Sequence, residues 1–80
     1  MKISVLFFGL AHELSGVRQL PMEVPVDTDT SRLRHMLAEQ YAGLDDRLGY
    51  ALAVNEVHCA QSVMLKEGDV VAILPPVSGG

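Results

Sequence analysis

From Lys2 to Phe8 the side chains fall into two alternating sets, Ile3, Val5 and Phe7 against Ser4, Leu6 and Phe8. A two-residue period is that of a β-strand, and two largely apolar sets predict an inner strand rather than an edge. Gly9 breaks the run. Leu10, Ala11 and Leu14 then stand at i, i+1 and i+4, enough for a single helical turn closed by Gly16. Val17 to Val24 reads as a second strand. Pro21 removes a ladder donor from it and so predicts an edge or irregular position. Its closeness in sequence to the first strand favours antiparallel pairing.

Pro25 ends that strand, and Asp27-Thr28-Asp29-Thr30-Ser31 offers a dense set of N-caps, with the cap expected at Asp29 or Thr30. Leu33, Met36, Leu37, Tyr41 and Leu44 recur at three- and four-residue steps, the stripe of an amphipathic helix that stops at or near Gly43. Asp45 to Gly49 is a polar connection. Ala51–Val54, the turn Asn55-Glu56 and Val57–Cys59 outline a hairpin. Gln61 to Leu65 connects to a turn at Lys66-Glu67-Gly68-Asp69. The unbroken apolar run Val70-Val71-Ala72-Ile73-Leu74 predicts a central strand buried on both faces.

These elements predict an α+β domain: a mixed four- or five-stranded sheet with one main helix on one face. One helix covers only one side of such a sheet, while the first and last strands are apolar on both. The second face is therefore expected to expose hydrophobic surface, which in a small domain marks a partner site.

Composition narrows the function. Eighty residues make one domain, and 49% apolar with 20% charged residues is enough for a core. Six Lys+Arg against ten Asp+Glu give a net charge of −4 with the basic residues scattered, so no nucleic-acid footprint is expected. A single cysteine, Cys59, rules out an internal disulfide and fits a reducing compartment. With neither a signal-peptide start nor a run of about 18 apolar residues, the expectation is a cytoplasmic chain with no membrane association. His12, His35 and His58 share no metal-ligand spacing with each other or with Cys59. Asp45-Asp46 and Asp27/Asp29 suit loops and caps better than an acid–base dyad. No glycine-rich phosphate loop is present. No bound metal or cofactor is expected, and no self-contained enzyme.

The end of the sequence is different in kind. Directly after the apolar strand come Pro75-Pro76, which end β pairing, and then Val77-Ser78-Gly79-Gly80. The expected organisation is a domain over residues 1–74 and an extended tail over 75–80. Fully extended, the tail spans about 20 Å. Its two side-chain-free glycines could enter a channel too narrow for other residues. The reading is that the Gly80 carboxylate is the reactive group and that the domain presents it.

The ending Leu74-Pro75-Pro76-Val77-Ser78-Gly79-Gly80, preceded by Glu67-Gly68-Asp69-Val70-Val71-Ala72, resembles that of the small subunits of molybdopterin synthase. Val5-Leu6-Phe7-Phe8-Gly9 with Glu13-Leu14 and Gly16, and the Ala53-Val54-Asn55 turn, carry the same resemblance. That family consists of ubiquitin-like sulfur carriers with the β-grasp fold, in which first and last strands lie side by side at the sheet centre. The resemblance implies that an adenylating enzyme of the ubiquitin-activating type uses ATP to convert Gly80 into an acyl-adenylate. A persulfide-derived sulfur then replaces AMP to leave a thiocarboxylate. It also implies a large synthase subunit as partner, in a heterotetramer of two small and two large subunits. There the sulfur attacks cyclic pyranopterin monophosphate, and two transfers build the molybdopterin dithiolene. Gly79, Ser78, Val77, Pro76 and Pro75 would thread the partner, and Phe7 with neighbouring apolar residues would dock it. Two other carriers of a Gly-Gly end stand as alternatives: a sulfur carrier for thiamine or cysteine synthesis, and a modifier joined to lysines. A purely structural interaction domain, indifferent to loss of Gly79-Gly80, is the plainest alternative.

Overall fold

A computed structural model describes residues 1–76. The chain forms β1 (Lys2–Phe7), α1 (Gly9–Ser15), β2 (Gln19–Glu23), α2 (Thr30–Gln40), β3 (Ala51–Val54), β4 (Val57–Cys59) and β5 (Val70–Leu74). A short 3-10 turn, Asp46–Leu48, precedes β3. The sheet has five strands in the order β2-β1-β5-β3-β4. β1 and β5 run parallel at its centre, with Val5 opposite Val71 and Phe7 opposite Ile73. The other pairs are antiparallel, so the sheet is mixed.

Parallel strands need a long crossover, and here nearly the whole domain supplies it. The turn between β1 and β2 carries α1, and the passage from β2 to β3 carries α2 across one face. As expected from Pro21, β2 is an edge; Pro21 lies opposite Ser4 of β1. The start of α2 is settled in favour of Asp29, whose Oδ1 accepts from Arg32 N at 2.8 Å. The same turn is tied to the segment before β5, where Thr30 N donates to Val63 O at 2.9 Å and Leu65 N to Thr28 O at 3.0 Å. The helix stops at Gln40 with Tyr41 as its cap, short of Gly43. Gly43 instead makes room for α1: a Cβ there would come within 2.9 Å of the Leu14 side chain. α1 is also longer than the single turn expected. It runs seven residues and closes on Gly16, in the left-handed region at φ 76°.

The core lies between α2 and one sheet face: Val5, Leu33, Leu37, Leu44, Leu52, Val71 and Ile73 are its largest fully buried side chains. Phe7 adds an edge-on contact with the Tyr41 ring, centroids 5.6 Å apart. On the border of the core, the Arg34 guanidinium carbon sits 4.5 Å from the centre of the Tyr50 ring. Burial pushes the Tyr50 phenol above its ordinary value of 10.0, with Arg34 pulling the other way. The folded chain thus keeps this proton longer than the unfolded chain. Well below pH 10.0 the group is neutral in both states and stability is indifferent to it. Above that, the unfolded state ionises first and stability falls until folded Tyr50 also ionises. Urea unfolding at pH values from about 9 to 11 is expected to show this decline, with a shallower slope in Tyr50→Phe. An unchanged slope in the variant would exclude Tyr50 as its source.

The β3–β4 turn lacks the glycine that such turns favour, and both Asn55 (φ 50°) and Glu56 (φ 70°) occupy the left-handed region. A buried carboxylate holds the turn in place. Asp69 accepts from Asn55 Nδ2 at 2.9 Å and from Lys66 N at 2.8 Å. Asn55 Oδ1 in turn accepts from Val70 N at 3.0 Å. Asp69→Ala leaves two donors without their acceptor, so a loss of about 2–3 kcal/mol is expected in chemical denaturation. A loss below about 0.5 kcal/mol would mean that water replaces the carboxylate freely.

Candidate functional site

Among the described residues, the face of the sheet opposite α2 carries no helix. Register defines its surface, because directly opposed residues share a face. Ser4 lies opposite Val70 and Leu6 opposite Ala72; Ala53 lies opposite Ala72 and Ala51 opposite Leu74. Phe8, Val70 and Leu74 are exposed at 49%, 38% and 37%, whereas Phe7, Val71 and Ile73 are buried at 3%, 0% and 0%. The expectation that β5 is buried on both faces is therefore corrected: one face is core and the other is open. An 80-residue chain has only one long helix, which covers one side.

Phe7 is also corrected as a docking residue. It belongs to the set that points at α2, against Tyr41, and cannot meet a partner without unfolding the core. The residues on the open face are its neighbours Leu6 and Phe8. They could have been found in the sequence, since Ser4 is the one polar member of the two alternating sets and it marks the solvent side.

Leu6, Phe8, Val70 and Ala72 line a shallow groove of about 420 Å³, closed at one end by Asn55 and Glu56 of the β3–β4 turn. A second concavity adjoins it at Phe8, lined by Gly9, Leu10, Leu74, Pro75 and Pro76. The apolar surface thus runs along the open face to the root of the tail. Pro75 is partly buried there and Pro76 is exposed. Val77, Ser78, Gly79 and Gly80, which carry the sequence-based expectation of a reactive terminus, lie outside the described residues.

The remaining candidates have other surroundings. His12 Nδ1 stands 3.1 Å from Val17 O at the end of α1. Half-buried Cys59 has Sγ 3.5 Å from Val57 O on β4. Asp45 caps the 3-10 turn, accepting from Arg47 N at 3.0 Å, and its Oδ2 meets Arg47 Nη2 at 2.6 Å. The side-chain hydrogen bond to Arg47 holds the Asp45 carboxyl below its ordinary range. Among the described residues no three His, Cys, Asp or Glu side chains gather as metal ligands. The same residues contain no helix long and apolar enough to cross a membrane. What the arrangement offers is therefore a docking face next to a tail.

A five-stranded mixed sheet crossed by one main helix, with its first and last strands parallel at the centre, is the ubiquitin-like β-grasp. SAMP1 from Haloferax volcanii has this fold, with a TM-score of 0.85 over the full length of both chains at 22% identity. The chain belongs to the ThiS family, whose model matches residues 5–80. Within that class the likeness is to molybdopterin synthase sulfur carrier subunits. The one from Arabidopsis thaliana is 35% identical over 81 residues, covering 100% of this chain and 84% of the relative. A solved complex of subunits 1 and 2 of molybdopterin-converting factor from Helicobacter pylori contains a chain 34% identical to this one. Its TM-score is 0.72, with both chains covered in full.

Proposed function

We propose that this chain is the sulfur carrier of a molybdopterin synthase, docked through its open sheet face and reacting through Gly80. The observation that carries the reading is the continuity of the apolar surface from Leu6 and Ala72 to Pro75. A partner seated on that surface also holds the root of the tail. The relatives at 35% and 34% identity support the identity of the cargo and of the partner, a large synthase subunit. A heterotetramer of two small and two large subunits, in the cytoplasm, is part of the same reading.

The chemistry follows from the terminal carboxylate. A carboxylate is a poor electrophile, so it attacks the α-phosphorus of ATP on an adenylating enzyme, releasing pyrophosphate and forming an acyl-adenylate. A persulfide sulfur displaces AMP, and reductive cleavage of the sulfur–sulfur bond by a thiol of the donor system leaves the thiocarboxylate. Its sulfur is a nucleophile at neutral pH and attacks an oxygen-bearing carbon of the pyranopterin in the large subunit, forming a carbon–sulfur bond as the carbon–oxygen bond breaks and the oxygen leaves. Water then cleaves the acyl–sulfur bond, leaving sulfur on the pterin and regenerating the carboxylate. The carrier contributes delivery: a tethered nucleophile replaces a bimolecular encounter. General acids and bases belong to the partners.

Intact-mass measurement of the chain isolated from cells making the cofactor tests this. A species heavier by sulfur replacing oxygen, lost on incubation with the large subunit and pterin precursor, is the expected result. A chain recovered instead as a Gly-Gly isopeptide on lysines of other proteins would overturn the carrier reading in favour of a modifier.

A further inference from the structure

The tail leaves the sheet beside a sharp corner in the chain. Phe8 is extended at φ −117° and ψ 153°, and Gly9, the first residue of α1, turns into the left-handed region at φ 52°. A side chain at Gly9 would have room but not the backbone: its Cβ would stand 3.8 Å from Pro75 Cγ, an ordinary contact. The glycine is there for its φ. Gly9 and the Pro75 ring are thus neighbours, both lining a concavity of about 340 Å³ completed by Phe8, Leu10, Leu74 and Pro76.

This corner is held from three sides. Phe7 N donates to Arg18 O at 2.9 Å, and Ala11 N donates to Phe8 O at 3.0 Å. At its far end α1 is wedged by Leu14 against Gly43. The tail root is stiff in its own right. Each proline fixes its φ, and Leu74 and Pro75, each preceding a proline, are confined to extended backbone. A stiff segment resting on a fixed support has one direction. Four residues follow Pro76 in the sequence, at most about 13 Å of chain, so the root limits where the end can reach, and about 1 Å of misplacement can cost 10²-fold in rate.

We propose that the β1–α1 corner, Phe8-Gly9-Leu10, is a positioning seat for Pro75 that sets the direction in which the tail leaves the sheet. The proposal rests on the sulfur-carrier reading for its consequence, though not for its geometry.

Two measurements separate them. In the free chain, NMR cross-peaks between Pro75 Hγ and Gly9 Hα are expected, and their absence overturns the seat whatever the protein carries. The second uses thiocarboxylated chain, made by sulfide cleavage of a fusion so that no activating enzyme is needed. Transfer to the pterin in the large subunit is followed in a single turnover. Pro75→Ala is expected to keep its melting temperature, and with the large subunit saturating, so that any change in affinity drops out, its transfer rate is expected to fall at least about tenfold. Leu10→Ser alters the seat and leaves the tail intact, and is expected to slow the same step several-fold. A loss confined to affinity, or one in Pro75→Ala with none in Leu10→Ser, overturns the seat. Wild-type thiocarboxylate that transfers no sulfur overturns the carrier reading instead, leaving the cross-peaks to decide the seat.

Discussion

Deleting Gly80 is expected to abolish sulfur transfer and to leave the fold in place. Among the described residues the buried core ends at Ile73. Thermal melting and urea unfolding of the truncated chain should therefore match the full-length chain. The chemistry responds differently. A terminal Gly79 still offers a carboxylate, but one residue short, about 3.3 Å from where the partner's site expects it. Since about 1 Å of misplacement can cost 10²-fold, the loss should exceed a hundredfold. Activity is read as pterin dithiolene formed per carrier, with the activating enzyme and large subunit present. A truncated chain that still delivers sulfur at near the full rate removes Gly80 from the proposed mechanism.

Phe7→Asp and Phe8→Asp, adjacent in sequence, should fail in opposite ways. Phe8 is half exposed in the free protein, so a carboxylate there stays hydrated and the fold is expected to survive. Against a docked large subunit the same carboxylate is desolvated without a partner. Hot-spot aromatics cost about 2 kcal/mol or more on truncation, so affinity should fall at least about 30-fold. Phe7 is 3% exposed and packs on Tyr41. Removing such a ring costs about 3–5 kcal/mol before the charge is counted, against a total near the low end of 5–15 kcal/mol. That variant should be unfolded by circular dichroism at room temperature. Isothermal titration with the large subunit decides the Phe8 prediction: unchanged affinity would place the docking surface elsewhere.

The corrected assignment of Phe7 shows where reading the chain runs out. Alternation from Lys2 to Phe8 sorts the residues into two faces without saying which of them α2 covers. That choice is made by the crossover: α2 lies over Ile3, Val5 and Phe7 because Leu33 and Leu37 pack there. The helix stop is similar. Gly43 is the natural terminator in the sequence, yet the chain leaves the helix at Gln40. The Leu14 side chain, 29 positions earlier, stands over Gly43. The turn at Asn55-Glu56 was legible from Asn55 alone, but its support, Asp69, comes from 14 residues away.

By itself the sequence determined the element order, the pair of residues between which the α2 cap falls, and the edge character of β2. Each of these rests on interactions within a few residues: periodicity, a carboxylate reaching the next turn, a proline without a donor. Only the tertiary structure decided which sheet face stays open, that Leu6 and Phe8 rather than Phe7 line it, and that Pro75 stands beside Gly9. Those outcomes depend on which distant segments meet. One helix can bury only one side of a sheet, and the local pattern is the same for either side.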